Sequence, residues 1–330
     1  MVKKNIIEKK NKIFIAGHNG MVGKSIKETF LKNGYENLIY EDRSKLDLTN
    51  LSEVIAFFEI YRPEIVVLAA AKVGGIVANS NYPTEFILEN LKIQTNIIET
   101  SWKYNVKRFL FLGSSCIYPK FSKQPIKEEY LLEGNLEPTN EYYAIAKIAG
   151  IKLCQALRKQ YKFDAICLMP TNLYGPGDNY DYKNSHVLPA LIRKFYEAKI
   201  KKLDIVSCWG DGSPLREFLH AQDLGEACLF ALENYCPSIN KNDLDLIHLN
   251  VGTGKDITIK ELAELVASLV GFKGKIVWDT SKPNGTHQKK LDISAIRKLG
   301  WEPKIGLKQG IDRTIKEYIM DIKNKNEHLI

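Results

Sequence analysis

The sequence predicts an α/β protein, a doubly wound parallel sheet followed by a smaller mixed α/β part. Three observations lead there. Short β-branched and aromatic runs alternate with helical patterns through the first half of the 330-residue chain. Two of those runs, Glu64 to Ala70 and Arg108 to Gly113, are almost continuously apolar, which marks strands buried on both faces. Past Pro170 the rhythm is lost and turn formers become frequent, at Gly175, Pro176, Gly177, Pro189, Gly210, Gly212 and Pro214.

Taken in order, Lys12 to Ala16 reads as the first strand and Met21 to Asn33 as the helix behind it. Asn37 to Tyr40 is a short strand. Leu51 to Tyr61 is a helix with Asn50 or Thr49 as its N-cap. The third strand, Glu64 to Ala70, precedes a long helix from Thr84 to Tyr104. Arg108 to Gly113 is the fourth strand, Glu141 to Tyr161 the next helix, and Asp164 to Met169 the fifth strand. Helical patterns return at His186 to Lys199, Ala221 to Asn234, Ile259 to Val270 and Gly306 to Lys323. Open α/β sheets bind ligands at the carboxyl ends of their strands, so the cleft between the two parts is the expected site.

Composition excludes several classes. Hydrophobic residues make up 45% and charged residues 26%, which is ordinary for a globular chain and argues against disorder. The longest compact apolar run, Ile65 to Ala71, is far short of the ~20 residues of a membrane span. Five lysines fall within the first twelve residues with no apolar stretch behind them, so no secretory signal is read and a cytoplasmic protein is expected. The net charge is +8, but it is dispersed, and no nucleic-acid-binding signature accompanies it. An anionic small molecule is the better use for that charge. The six cysteines form no C-x-x-C pair and are irregularly spaced, so neither a metal site nor a disulfide framework is expected.

Two constellations carry chemistry. Gly17-His18-Asn19-Gly20-Met21-Val22-Gly23 joins the first strand to the first helix. Glycines there let the backbone turn tightly and approach a pyrophosphate seated on the helix N-terminus. By spacing alone the same residues could form an ordinary strand-to-helix turn. Tyr143 and Lys147, four apart on a predicted helix, project from one face, and Ser114 ends the fourth strand. A lysine ammonium beside a tyrosine favours the phenolate, and a serine at the strand end can bind a carbonyl oxygen. A surface pair with the same spacing is the bland alternative.

These residues resemble the extended short-chain dehydrogenase/reductases. Further segments narrow the resemblance to the GDP-L-fucose synthase family. They are 69–76 (AAAKVGGI), 113–119 (GSSCIYP), 137–141 (EPTNE), 170–176 (PTNLYGP), 184–187 (NSHV) and 216–220 (REFLH). The resemblance covers nearly the whole chain. It implies a Rossmann-type dinucleotide-binding domain at 1–172, rejoined by 218–252, and a nucleotide-sugar domain formed by 173–217 and 253–330. It also implies NADP(H)-dependent reduction at C4 of a GDP-linked 4-keto-6-deoxy sugar, with epimerisation at C3 and C5, by a homodimer built on the helices at 84–104 and 141–161. Tyr143 is then the proton donor, Lys147 its partner, and Ser114 a ligand of the carbonyl. Cys116 and His186 form the epimerising acid–base pair; read without the family, they would be a buried apolar cysteine and a helix-start histidine.

Further contacts are implied in the same way. Cofactor contacts are expected from Gly17, Asn19, Gly20, Met21, Val22, Gly23, Glu41, Arg43, Asp47, Leu48, Ala69, Ala70, Lys147, Pro170, Asn172, Leu173 and His186. Substrate contacts are expected from Val73, Gly74, Ser115, Cys116, Asn172, Val187, Lys194, Trp209, Arg216 and Lys289. For Lys194 and for Lys290, a solvated surface position is an equal alternative.

Three features depart from the family. Asn19 stands where arginine is usual. Glu41-Asp42-Arg43 follows the second strand, and an acidic residue about 20 positions after the glycines favours NAD(H), while Arg43 can accept the phosphate of NADP(H). His287 and Gln288 replace the usual residues beside Lys289, which puts the sugar in question and leaves a heptose as an alternative. A C4 reductase without epimerase activity is the main rival, and a non-catalytic dinucleotide-binding protein a distant one. Dehydration is disfavoured because Cys116-Ile117 replaces the Asp-Glu pair of the dehydratases.

Overall fold

β1 (Ile13–Ala16) is four buried apolar residues that run straight into α1 (Met21–Lys32). β2 (Leu38–Ile39) is short. α2 (Leu51–Tyr61) begins at Asn50, whose side chain accepts the Ser52 N–H, which resolves the choice of cap. β3 (Ile65–Leu68) opens into loop 69–75, followed by α3 (Ile76–Asn81) and the long α4 (Pro83–Lys103). β4 (Arg108–Leu112), three single 3₁₀ turns, α5 (Glu141–Tyr161) and β5 (Ala165–Pro170) complete the first half. Then come β6 (Asn172–Tyr174), α6 (Val187–Ile200), β7 (Ile205–Trp209), β8 (Leu215–His220) and α7 (Ala221–Asn234). β9 (His248–Val251), β10 (Asp256–Thr258), α8 (Ile259–Val270), β11 (Lys275–Asp279), β12 (Gln288–Lys289), α9 (Ser294–Leu299) and α10 (Leu307–Glu327) end the chain. This computed structural model describes residues 6–182, 184–237, 247–282 and 284–327. Lys3 and Lys4 of the basic N-terminal group lie outside them.

The expected doubly wound sheet is present. Its six strands are all parallel, in the order β2-β1-β3-β4-β5-β9. From β1 the chain winds to one edge through β2 and then crosses to β3 on the other side. That reversal opens a crevice at the carboxyl ends of β1 and β3, where the glycine turn and loop 69–75 emerge side by side. Phe14, Val66, Phe109, Ile166 and Leu249 form the heart of the larger core.

A second core lies beyond β5. Leu191, Ile192, Phe195, Val206, Leu262, Val266 and Ile311 are buried together there, under α6, α8 and α10. In this part β8 is the hub. It pairs in parallel with β6 and β12 and antiparallel with β10, while β7 and β11 form a separate parallel pair. These short strands, with β9 of the large sheet, α3 and α9, are elements that periodicity did not disclose. The pairing Lys289↔Arg216 sets two predicted anion-binding side chains on adjacent strands.

Candidate active site

The glycine turn is built by exclusion of side chains. Gly17 has φ +91°, and a Cβ there would lie 2.6 Å from the Ala70 nitrogen. A Cβ on Gly23 would lie 2.0 Å from the Gly17 carbonyl oxygen. The turn is thus pressed between α1 and the end of β3, and the Ala69 N–H donates to the Ala16 carbonyl at 3.0 Å. Gly20, the N-cap of α1, has no such neighbour and no side chain caps the helix, so the first N–H groups of α1, from Met21 and Val22 on, face the crevice. That cradle fits a pyrophosphate, as the sequence led us to expect.

The end of the crevice beside β2 is more crowded than the motif foretold. Asn19 donates its amide to the Asp42 carboxylate, and His18 Nε2 lies 3.6 Å from Asp42. The His18 ring packs on Tyr40 at 4.6 Å, and Lys27 Nζ sits over the Tyr40 ring at 3.9 Å from its centroid. Burial pulls the His18 pKa below its ordinary value, with Asp42 acting in the opposite sense. Glu41 is paired with Lys45 at 3.6 Å. Arg43 makes a long contact to Glu89 at 3.7 Å and remains largely exposed, so its guanidinium can still meet a phosphate. Asp47 caps its own turn, accepting from the Thr49 N–H and hydroxyl, and those bonds depress its pKa. The Leu48 carbonyl accepts from Asn96 on α4. His18, Lys27 and Asp42 are contacts that sequence reasoning missed.

The residues expected to carry the chemistry meet at the end of β4. Ser114 is extended, and its Oγ accepts the Cys116 N–H at 3.2 Å. Tyr143, in the first turn of α5, packs edge-on to Phe86 at 6.5 Å. Burial, then the neighbouring Cys116, raises the Tyr143 pKa, and the nearby Ser114 hydroxyl opposes them. Lys147, one turn further on, is buried, and its Nζ donates to the Leu112 carbonyl at 2.8 Å. Burial brings its pKa down to about 7. Ser114, Tyr143 and Lys147 are therefore brought together as expected. The lysine's contact is with β4 backbone, however, and its Nζ stands 5.9 Å from the tyrosine ring centroid.

Cys116 lies just past Ser114, partly open to the cleft. Its Sγ accepts from Asn140 Nδ2 at 3.3 Å and lies 3.6 Å from Lys289 Nζ. Arg216 is close enough to feel the sulfur and Glu137, and burial lowers its pKa. Glu137 is itself braced by Lys120 at 3.1 Å and by the Thr286 hydroxyl at 2.9 Å. Burial works against its charge, but those partners hold its pKa below the usual range. Ser115 is buried under the turn and its carbonyl accepts the Tyr118 N–H.

The facing wall is built by loop 69–75 and the start of α6. Asn90 clamps the loop, accepting from the Lys72 N–H and donating to the Lys72 carbonyl. The Gly75 N–H then donates to the Asn184 carbonyl at 3.2 Å, which ties Val73 and Gly74 to the segment holding His186. His186 is the N-cap of α6 and makes no capping bond. Crowding by the protein lowers its pKa, although the imidazole still reaches solvent. Val187 beside it is exposed. On the strand side, β5 ends at Pro170, the Asn172 amide donates to the Glu217 carbonyl at 2.8 Å, and Leu173 packs on the larger core. Lys194 lies further out, 3.2 Å from the Ser207 carbonyl and 5.9 Å from the centroid of the exposed Trp209 ring. No cluster of side chains able to hold a metal exists among the described residues.

Many known proteins are similar to this chain in sequence or fold. Residues 13–252 match the NAD dependent epimerase/dehydratase family. GDP-L-fucose synthase 1 of Arabidopsis thaliana is 53% identical over 96% of this chain and 96% of its own. GDP-L-fucose synthase of Escherichia coli is 49% identical over 94% of this chain and 97% of its own. Among solved structures, a GDP-6-OMe-4-keto-L-xylo-heptose reductase from C. jejuni superposes with a TM-score of 0.91 at 37% identity, covering 96% of this chain and 99% of the other. A GDP-L-fucose synthetase from Naegleria fowleri bound to NADP gives 0.88 at 26%, covering 98% and 97%. With the glycine cradle, the Ser114–Tyr143–Lys147 group and similarity along nearly its full length, the chain belongs to the NAD-dependent epimerase/dehydratase family and, within it, to the GDP-L-fucose synthase family of nucleotide-sugar reductases.

Proposed function

We propose that this protein reduces the C4 ketone of a GDP-linked 4-keto-6-deoxy sugar at the expense of NADPH, after inverting C3 and C5. The observation that carries this reading is the position of Ser114. It lies close enough to the proton donor Tyr143 to oppose the rise of its pKa, and its Oγ accepts the Cys116 N–H. One strand end therefore serves both halves of the reaction.

The glycine turn and the α1 N-terminus would hold the dinucleotide, with Arg43 toward a 2′-phosphate. NADPH supplies the hydride to C4 when bound. Ser114 steadies the carbonyl oxygen, and Tyr143 gives its proton to the alkoxide that forms there. The raised Tyr143 pKa does not impede this step, because an alkoxide is far more basic than a phenolate. Inversion needs a proton taken from one face of a ring carbon and returned to the other. In our reading Cys116 removes it and His186 returns it, the ketone holding the electron pair as an enolate meanwhile. Arg216 and Lys289 take the diphosphate, with Lys194 and Trp209 toward the guanosine end.

We assign residues 1–172 and 218–252 to dinucleotide binding, and 173–217 and 253–330 to the nucleotide sugar. The two cores support this division, with the qualification that Leu291, Ile293, Ile296 and Trp301 pack on the larger core. We infer a homodimer through α4 and α5, which expose Leu88, Tyr142 and Ile145. No helix among the described residues is long and apolar enough to cross a membrane, and a cytoplasmic location is our reading of the sequence.

The test is incubation with GDP-4-keto-6-deoxy-mannose and NADPH in deuterated water, following cofactor oxidation and product mass together. Oxidation with deuterium at two ring carbons is expected. Oxidation without ring deuterium would leave a C4 reductase only, and would direct attention to GDP-linked heptoses. No oxidation would overturn the substrate.

A further inference from the structure

Asn140 is the N-cap of α5, a position where asparagine ordinarily turns its side-chain oxygen onto a backbone N–H of the first turn. It makes no such bond. Its Nδ2 instead donates to Cys116 Sγ at 3.3 Å, and its Oδ1 is buried with no hydrogen-bond partner. A forgone cap and an unpartnered buried oxygen both weigh against folding. What they secure is the position of one sulfur atom. Asn140 also lies three residues before Tyr143, so the contact ties that sulfur to the helix that carries the proton donor. Lys289, from β12, approaches the same atom at 3.6 Å.

We propose that Asn140 is a positioning residue for Cys116, holding Sγ in register for proton exchange at the ring carbons. The proposal rests on the reading of Cys116 as the epimerising base. A side-chain amide suits that cycle, because it has a donor and an acceptor on one short arm. As thiolate, the sulfur accepts the amide N–H. Once it has taken the proton from carbon, leaving the electron pair on the ketone as an enolate, it becomes an S–H donor. Rotation of the amide then presents Oδ1 to it. Asn140 can follow Cys116 through both protonation states, and Tyr143 chemistry does not require it.

Asn140→Ser tests this. Serine caps helices about as well as asparagine but is too short to reach the sulfur. Deuterium uptake at C3 and C5 should fall at least tenfold, toward the roughly hundredfold loss that a misplacement of about 1 Å brings. Oxidation of GDP-L-fucose by NADP⁺ begins at C4 and needs no inversion, and its rate should be unchanged. Alkylation of Cys116 by iodoacetamide without substrate, located by peptide mapping, should slow. Unchanged uptake and alkylation, or an equal loss of both reactions, would overturn the proposal. Cys116→Ser run alongside separates the two readings. Ring uptake that survives it removes Cys116 from the mechanism and the proposal with it. Uptake lost in Cys116→Ser but kept in Asn140→Ser overturns the role of Asn140 alone.

Discussion

Replacing Lys147 by methionine should reveal what its burial does to stability. The pKa of Lys147 falls from 10.5 to about 7, chiefly through burial, with Cys167 pulling the other way. At about 1.4 kcal/mol per pH unit, charging this amine inside the fold is disfavoured by about 5 kcal/mol. The unfolded chain holds the extra proton between pH 7 and 10.5, so this group makes stability rise with pH across that window. At pH 7 it still withholds about 4 kcal/mol, and the deficit vanishes near pH 10.5. Methionine has similar length and no charge to bury. Its drawback is an unpartnered Leu112 carbonyl, worth about 1–3 kcal/mol at every pH. Lys147→Met is therefore expected to be more stable than the parent near pH 7 by a few kcal/mol at most, and less stable near pH 10. Urea denaturation of both proteins without cofactor at pH 7, 8, 9 and 10 gives the two curves. Cys228 and Tyr235, whose shifts owe nothing to Lys147, bend both alike, because their raised pKa values make stability fall as pH climbs past the unfolded values. Only the difference between the curves belongs to Lys147. Parallel curves would mean that Lys147 is charged in the fold at no penalty, and would refute the reasoning. C4 reduction should be lost in the variant throughout.

Three further outcomes are expected. Tyr143→Phe should lower C4 reduction by about 10²–10⁴-fold while leaving NADPH binding intact, and near-normal turnover would remove Tyr143 as proton donor. Gly23→Ala places a methyl group against the Gly17 backbone, where the available separation is 2.0 Å. Overpacking of that kind costs about 1–3 kcal/mol and should appear as a lower Tm together with lost NADPH fluorescence enhancement. Arg43→Ala removes a charge-assisted contact worth about 1.5–3 kcal/mol. It should raise the Kd for NADPH by about 10- to 100-fold and leave that for NADH unmoved, as calorimetry with both cofactors would tell.

The elements that periodicity disclosed are those whose burial follows their own sequence. α2, α5, α7 and α8 begin and end where the apolar spacing and the caps place them, with Asn50 capping α2 and Thr258 with Glu261 forming a capping box on α8. β7, β8 and β12 were not legible, because each is held by a partner far along the chain, as Leu215 is by Gln288. The same distinction applies at the site. Tyr143 and Lys147 share a helix face, so their spacing announced them. Asn140 and Lys289 meet Cys116 only because β12 returns beside β8 and α5 starts above the Ser114 turn. The role of Asp42 was hidden likewise: Glu41, Asp42 and Arg43 are neighbours in sequence, and only the fold decides which of them Asn19 binds.

The contacts around Ser114 also bear on how two reactions share one ketone. Reduction removes the ketone, and with it the acidity of the C3 and C5 protons, so inversion must come first. The groups serving each step are anchored differently. Tyr143 and Lys147 both stand on α5, and Lys147 is bonded to the end of β4. Cys116 is held by Asn140 on α5, but also approached by Lys289 and Arg216 on strands of the smaller part. Those two cations are the ones expected to receive the diphosphate. On the proposed reading, seating the nucleotide sugar would therefore act on the surroundings of Cys116. On that reading, a tight diphosphate grip is expected to favour the proton exchanges at C3 and C5. A sugar whose ring is displaced by a longer side chain would keep the reduction and lose the inversion.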